Sequence, residues 1–543
     1  MSPPFSAASS NDSISKEKRQ VEEDYPKSWA LAFLLVGLCL AVFVMSADRT
    51  IVTTALPYIS DEFHSFPSSG WYASAYLLTS SALQPTFGRI FHMFNLKWTF
   101  LVAMAIFMVG SAVCASAANS NIFIVGRAIT GVGSAGILSG SFVTIAHAVP
   151  LPKRPVYTAG IGMFYSFGSI AGPLLGGIFT SEVTWRWCFW LNLPIGAVTI
   201  CTMAVLFNPR KRHDTSRLSL RQKLAQLDIG GGVLLLGGLT MLFLAFQFVN
   251  EGTPWGDGTI IGLLVGSFAT IAVFVGWLWR RGEEALIPLS ILRGRTMKFA
   301  CANAFFLYST LLLHVYYLSI WLQSVMARSA ILSGVDLLAY IVPTALATII
   351  AGIVTTKTGY FAPPAWIGCA IATVGAGLLI TLHTHESTGD WIGYMIVAGA
   401  GIGLAIQQDF TAAQAVLPFE KVAIGTATIT FSQTIGGALA VYVGNIIMIE
   451  ELRGDSLPGV NMAKLIAAGA TAFEHMLSPA ALADVRVAYS SALRDVFITA
   501  TVASGLAFLT SLGLEMRSVK DGTKSAGASD EERKTGTREG NSQ

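Results

Sequence analysis

Four charged side chains lie in stretches that are otherwise apolar: Asp48 and Arg49 in "VMSADRTIVTTALP", Arg127 in "IFIVGRAITGVG" and Asp409 in "LAIQQDFTAAQAV". At the centre of a bilayer such a group costs roughly 2.5–3.5 kcal/mol even on the lenient insertion scale, so each needs a reason. The chemistry open to them is proton carriage. A carboxyl facing a guanidinium across a cavity exchanges a proton as their separation changes, and one pKa unit takes about 1.4 kcal/mol, which helix motion supplies. Asp48 is therefore the expected proton carrier and Arg127 the group that tunes it, with a purely structural pair as the alternative. Arg49 is expected at the headgroup interface.

Asp409 stands among Gln407, Gln408 and Gln414, with Gln433 in the following apolar span. This polar set suits substrate binding or a second proton, or else caps contacts among helices. His314, in "LLLHVYYLSIWLQ", is either a titrating group or a satisfied membrane histidine. Tyr308, Tyr316, Tyr317 and Trp321 around it suit a cavity for flat apolar compounds, although Tyr and Trp also populate membrane interfaces.

Other chemistries find little support. The six cysteines are irregularly spaced within the apolar spans and read as filler. No His pair has metal-ligand spacing, no Ser–His–Asp set can be placed together, and no Walker phosphate loop is present, so neither an enzyme nor a directly ATP-driven machine is expected and no metal or cofactor is implied.

Membrane helices must position these groups. Hydrophobic residues make up 53% of the 543, charged residues 12%, and the mean hydropathy is +0.59, against roughly 25% charged in soluble domains. Windows of about 20 apolar residues recur fourteen times, from 29–56 to 494–515, predicting an all-α membrane protein. Of the 35 Lys and Arg, 27 fall on the side that carries both termini and six on the other, which makes the termini cytoplasmic. The net charge of +3 is then topology and implies no nucleic acid. The N-terminal tail is too polar for a signal peptide, and the sequon at Asn11 falls on the cytoplasmic side.

The predicted organisation is a disordered cytoplasmic tail (1–28), a six-helix bundle (29–208), a basic loop with two linker helices and a following loop (209–298), a second six-helix bundle (299–515), and a second disordered tail (516–543). The basic stretch 209–223 reads as a solvated loop touching anionic lipid. An outside loop at 450–493 is expected to carry short amphipathic helices at the surface, such as "SPAALADVRVAYSSAL". A faint repeat pairs Gly88 and Asn95 with Gly352 and Gly359, and Gly131-Val-Gly133 with Gly401-Ile-Gly403, relating span n to span n+8. Parallel six-helix halves are a transporter plan.

One apolar run, "GSIAGPLLGG", contains Gly168, Gly172, Pro173, Gly176 and Gly177. In lipid, close helix association depends on small residues that let backbones touch, and three of these glycines repeat every fourth position. Pro173 permits a bend. The expected role is a seam along which one half rocks against the other, with static packing as the alternative.

These segments together resemble the major facilitator superfamily, in its fourteen-helix drug:proton antiporter branch, and most closely the fungal toxin and multidrug efflux pumps. The resemblance rests on "ADRTIVTTALP" (47–57), "FGRIFHMFNLKWTF" (87–100), "GRAITGVGSAG" (126–136), "GSIAGPLLGG" (168–177), "TWRWCFWLNLPIG" (184–196) and "GIGLAIQQDFTAAQAVLP" (401–418). It implies two six-helix bundles with two inserted helices, the Gly-Pro run as an antiport motif, and Gly88, Arg89 and Lys97 as the loop motif between spans 2 and 3. That motif departs from the family pattern at His92, Asn95 and Leu96, which leaves its charge relay incomplete, and Ala159 replaces an upstream glycine of the antiport motif. The implied function is export of small organic molecules, a toxin, secondary metabolite or drug, by proton antiport and alternating access. The expected form is a monomer in the plasma membrane, with a vacuolar or vesicle membrane as the alternative, dependent on protons and lipid. A proton-independent facilitator or importer is the alternative.

Overall fold

The computed structural model describes residues 28–64, 70–208, 222–223, 226–384, 386–454 and 479–520. Fourteen long helices run through them: α1 Ser28–Glu62, α2 Gly70–Met93, α3 Leu96–Ala115, α4 Ser120–Ala148, α5 Arg154–Glu182, α6 Asn192–Leu206, α7 Ile229–Asn250, α8 Gly258–Arg281, α9 Arg295–Ile320, α10 Leu338–Thr358, α11 Ala362–Leu379, α12 Thr388–Ile406 with its continuation Gln408–Val416, α13 Val422–Gly454 and α14 Pro479–Ser511. Thirteen are long and apolar enough to cross a membrane. The other, α2, falls short because it carries Ser74, Thr79, Ser80, Ser81 and Gln84.

Local signals set many of the ends. Asn95, Asn119, Asp257 and Ser387 cap α3, α4, α8 and α12 by accepting from backbone N–H groups of the first turn. Gly359, at φ +90°, closes α10 in a left-handed conformation open to glycine. Asn95, a departure from the family pattern, thus has a structural task in this chain.

The repeat is visible in the packing. In the first half α1 lies on α5, α2 on α4 and α3 on α4; in the second half α9 lies on α13, α10 on α12 and α11 on α12. The halves meet along α5–α10 and along the equivalent pair α13–α2. The inserted helices α7 and α8 pair with each other, and α7 rests on both α2 and α13.

Two expectations are corrected. Helix α1 continues past the expected end at residue 56 to Glu62, which leaves Asp48 well inside it. Residues 479–493 are not surface helices of an outside loop; they form the first half of α14. Val485, Ala488, Tyr489, Ala492, Leu493, Val496 and Phe497 are buried in one helical stripe that runs unbroken into the apolar span. The amphipathic periodicity is that of a bundle helix whose apolar stripe packs on its neighbours. Both tails apart from residues 28 and 516–520, Asn11 and most of the stretch 209–223 lie outside the described residues.

Candidate functional site

Asp48 and Arg127 form an ion pair of 2.6 Å with both side chains fully buried. The second carboxylate oxygen accepts from Asn192 Nδ2 at 2.8 Å, and Asn192 also donates to Ser111 Oγ at 3.0 Å. Arg127 donates through Nε to the Tyr72 carbonyl at 2.9 Å and lies over the Tyr76 ring at 4.5 Å. The cluster therefore ties α1, α2, α3, α4 and α6 together inside one half. The pair does not face across a cavity as expected, because Arg127 emerges from the face of α4 that packs on α1 and α2.

Beyond this cluster, at the end of the molecule opposite the basic loops, the Trp-Arg-Trp motif forms a clasp. Arg186 binds both oxygens of Glu62, at 2.8 and 3.0 Å, and Trp185 Nε1 donates to the same carboxylate at 2.7 Å. The Arg186 hydrogen bonds hold the Glu62 carboxyl below the ordinary glutamate range.

Arg49 has a different environment from the one expected. Its Nη1 donates to Tyr165 Oη of α5 and Tyr308 Oη of α9, each at 3.2 Å, and the two tyrosine hydroxyls are hydrogen-bonded to each other. These groups line a cleft between the halves, with about 480 Å³ of empty space including the part open to solvent. Thr50, Ser166 and Ser169 come from the first half, and Leu311, Leu312, Val315, Tyr340, Ile341 and Thr344 from the second. Arg49 is thus a cleft residue rather than a headgroup contact: one helical step of about 100° turns it away from Asp48.

Asp409 lies fully buried just after a break in α12 at Gln407, and neither of its carboxyl oxygens has a hydrogen-bond partner. The neighbouring glutamines diverge. Gln408 accepts from Thr355, Gln407 packs against Gly162 of α5, and both side-chain polar atoms of Gln414 are unpartnered. Gln433, on α13, is buried. None of the four glutamines is among the cleft residues named above, so the expected polar substrate patch is not assembled there.

The aromatic set divides similarly. His314 sits one layer behind the cleft, its Nδ1 3.1 Å from Tyr340 Oη. Tyr317 is buried and donates to the Val441 carbonyl at 2.9 Å, which makes it packing against α13. Tyr316 is 43% exposed and outside the lining. Sequence reasoning missed Tyr165 and Asn192 as site residues; a lone Asn in "FWLNLPIG" was the available signal for the second.

The glycine stripe is a seam, but within one half. A Cβ at Gly172 would stand 2.7 Å from the Ala47 carbonyl and 3.0 Å from Ile51 N, and Gly168 and Gly176 meet Phe43, Ser46, Ile51 and Thr54, all of α1. Gly177 would meet nothing. Pro173 lies inside α5 between these contacts. The close approaches between halves occur elsewhere: Gly88 of α2 meets Ala423 and Ala427 of α13, and its repeat partner Gly352 of α10 meets Pro155 and Ala159 of α5.

The basic end is closed. Phe142 and Phe410 stack across the halves at 4.1 Å. His92 Nδ1 lies 2.7 Å from the Glu420 carbonyl, which only accepts, so the nitrogen carries the proton. Arg89 donates to the carbonyls of Glu283 and Ala285 in the α8–α9 connector, and the Glu283 carboxylate pairs with Lys421 at 2.8 Å. The connector is held by buried Asp228, which accepts from Gly231 N at 3.1 Å, Trp277 Nε1 at 2.7 Å and Leu286 N at 2.6 Å. Arg89 of the loop motif is therefore held by backbone carbonyls of the inserted connector and not by an acidic side chain. Lys97 contributes its backbone N–H to the Asn95 cap.

A family model described as Major Facilitator Superfamily matches residues 38–441. The chain is 41% identical over 522 residues to "MFS-type efflux pump MFS1" of Arthroderma benhamiae, covering 94% of this chain and 97% of that one. It is 41% identical over 494 residues to "Efflux pump aflT" of Aspergillus parasiticus, covering 90% and 96%. Among solved structures, the proton:xylose symporter XylE bound to 6-bromo-6-deoxy-D-glucose matches with a TM-score of 0.57 at 11% identity, over 88% of this chain and 95% of that one, a likeness of fold.

Proposed function

The chain belongs to the major facilitator superfamily and is an integral membrane transporter, and from that premise we propose that it exports small organic molecules in exchange for protons by alternating access. The observation that carries this reading is the cleft between the halves, lined from both and sealed at the basic end. The basic end is the cytoplasmic one by the positive-inside rule, with both termini there and the plasma membrane as the site of action. The efflux names of the relatives support the outward direction.

Coupling runs through α1. Asp48 on one side holds α4 and α6 through Arg127 and Asn192, while Arg49 on another side enters the cleft. Protonating Asp48 removes the charge that Arg127 pairs with, frees α1 to shift, and so changes the cleft. A second reading puts the proton on Asp409, whose two oxygens are buried without partners.

The test is export from reconstituted vesicles with an imposed pH gradient. Asp48→Asn is expected to bind cargo but lose uphill export, since the amide keeps the shape and cannot carry the proton. Retained export by Asp48→Asn together with loss in Asp409→Asn moves the coupling to Asp409. Full gradient-driven export by both variants would take the carrier role from both carboxylates, and transport by the unmodified chain that ignores the imposed gradient would sink proton antiport and leave a facilitator.

A further inference from the structure

Arg49 is a permanent cation with neutral company. A guanidinium stays protonated in any protein setting, yet both side-chain hydrogen bonds from Nη1 go to tyrosine hydroxyls. No carboxylate among the described residues pairs with it. Asp48, next to it in sequence, is already engaged by Arg127 and Asn192 on another face of α1. The remaining cleft walls near it are hydroxyl, aromatic and aliphatic: Ser169, Tyr340, Leu312 and Val315.

We propose that this cleft takes an organic anion, a carboxylate on a flat or apolar body, and that Arg49 is the residue that selects it. This rests on the export reading and names its cargo class. A carboxylate offers what Tyr165 and Tyr308 lack, a full negative charge and two oxygens matched to the planar fork of a guanidinium. The apolar part of the cargo then lies against the Tyr340 and Leu312 side. The hydroxyls have a further consequence, because Tyr165 and Tyr308 belong to opposite halves and both hold the same Arg49. They bridge the halves through it. An arriving anion takes Arg49 from the tyrosines and so loosens a bridge between the halves as it binds.

The test uses the full-length chain in zwitterionic nanodiscs at pH 7, where an aromatic carboxylic acid is ionised. Binding of 2-naphthoate and anthracene-9-carboxylate is compared with that of the corresponding amides. The acids are expected to bind at least about tenfold more tightly than the amides, the scale of one charge-assisted pair. Arg49→Gln should bring acid and amide within about twofold by weakening the acid alone, and Arg49→Lys should restore part of the preference. Equal binding of acid and amide by the unmodified chain, no binding of either acid, or a preference that survives Arg49→Gln overturns the proposal. Should Arg49→Gln fail to fold, the unmodified chain and Arg49→Lys still decide it. Gradient-driven export of neutral compounds with no acid preference overturns this inference and leaves the export reading standing. Acid binding that needs Arg49, with no transport in vesicles, does the reverse.

Discussion

Asp48 and Arg49 divide the work of α1 by pointing to different faces, and only one of the two was legible in the sequence. The cost of a buried charge singles out Asp48 and Arg127 as needing each other, and the structure brings them to 2.6 Å. It cannot say whether Arg49 meets lipid headgroups or a cleft, because that depends on where the other half stands. Gln407, Gln408 and Gln414 mislead for another reason: clustering in sequence on a helix spreads side chains around its axis, and Gln433 stands on a different helix, α13. Glu62 supports a prediction at this scale. Its carboxyl is lowered by Arg186, so the clasp is fully formed above the ordinary glutamate pKa of 4.5 and is lost as pH falls through the lowered value. The pair is exposed, so the effect is small, about 1–2 °C in Tm. A thermal melt of the purified chain should drop by that amount between pH 5 and about 3, and Glu62→Gln should abolish this part of the pH dependence. An unchanged pH dependence in the variant removes the clasp from the account.

The glycine run shows what spacing reveals about an element and what it hides. Every-fourth-residue glycine predicts a backbone contact, and α5 makes one. The partner is α1 of the same half, because a smooth face accepts any neighbour and does not name it. Gly172→Leu is expected to cut export at least about tenfold, since its first carbon already meets α1 backbone and the rest has no room. Gly177→Leu, on the open side of the same helix, should transport normally. Equal behaviour of the two variants in the vesicle assay would refute the α1–α5 seam. The start of α14 belongs here too, since a buried stripe and a surface-lying helix share one periodicity.

At the scale of the molecule, the all-helical membrane fold was legible, with thirteen helices among the described residues long and apolar enough to cross, whereas the resting place of the inserted pair was not. Its connector binds Arg89 of one half and Lys421 of the other, and Asp228 holds that connector in place. The closure at the basic end is thus a three-body contact, and its loss should follow from a residue in neither half. Asp228→Ala leaves three donors short of an acceptor, each costing about 1–3 kcal/mol when buried. Spin labels at Trp98 and Glu420 should then report a wider separation than in the unmodified chain, and an unchanged distance would show that the insert does not hold the closure. With the anionic cargo and the proton exchange proposed above, the guanidinium in the cleft, finally, sets the electrical sign of transport. A monovalent anion leaving in one-for-one exchange with an entering proton moves charge twice in the same sense, each worth about 2.3 kcal/mol per 100 mV. A membrane negative on the cytoplasmic side then drives export even where both sides have the same pH, and a neutral cargo would receive half of that drive.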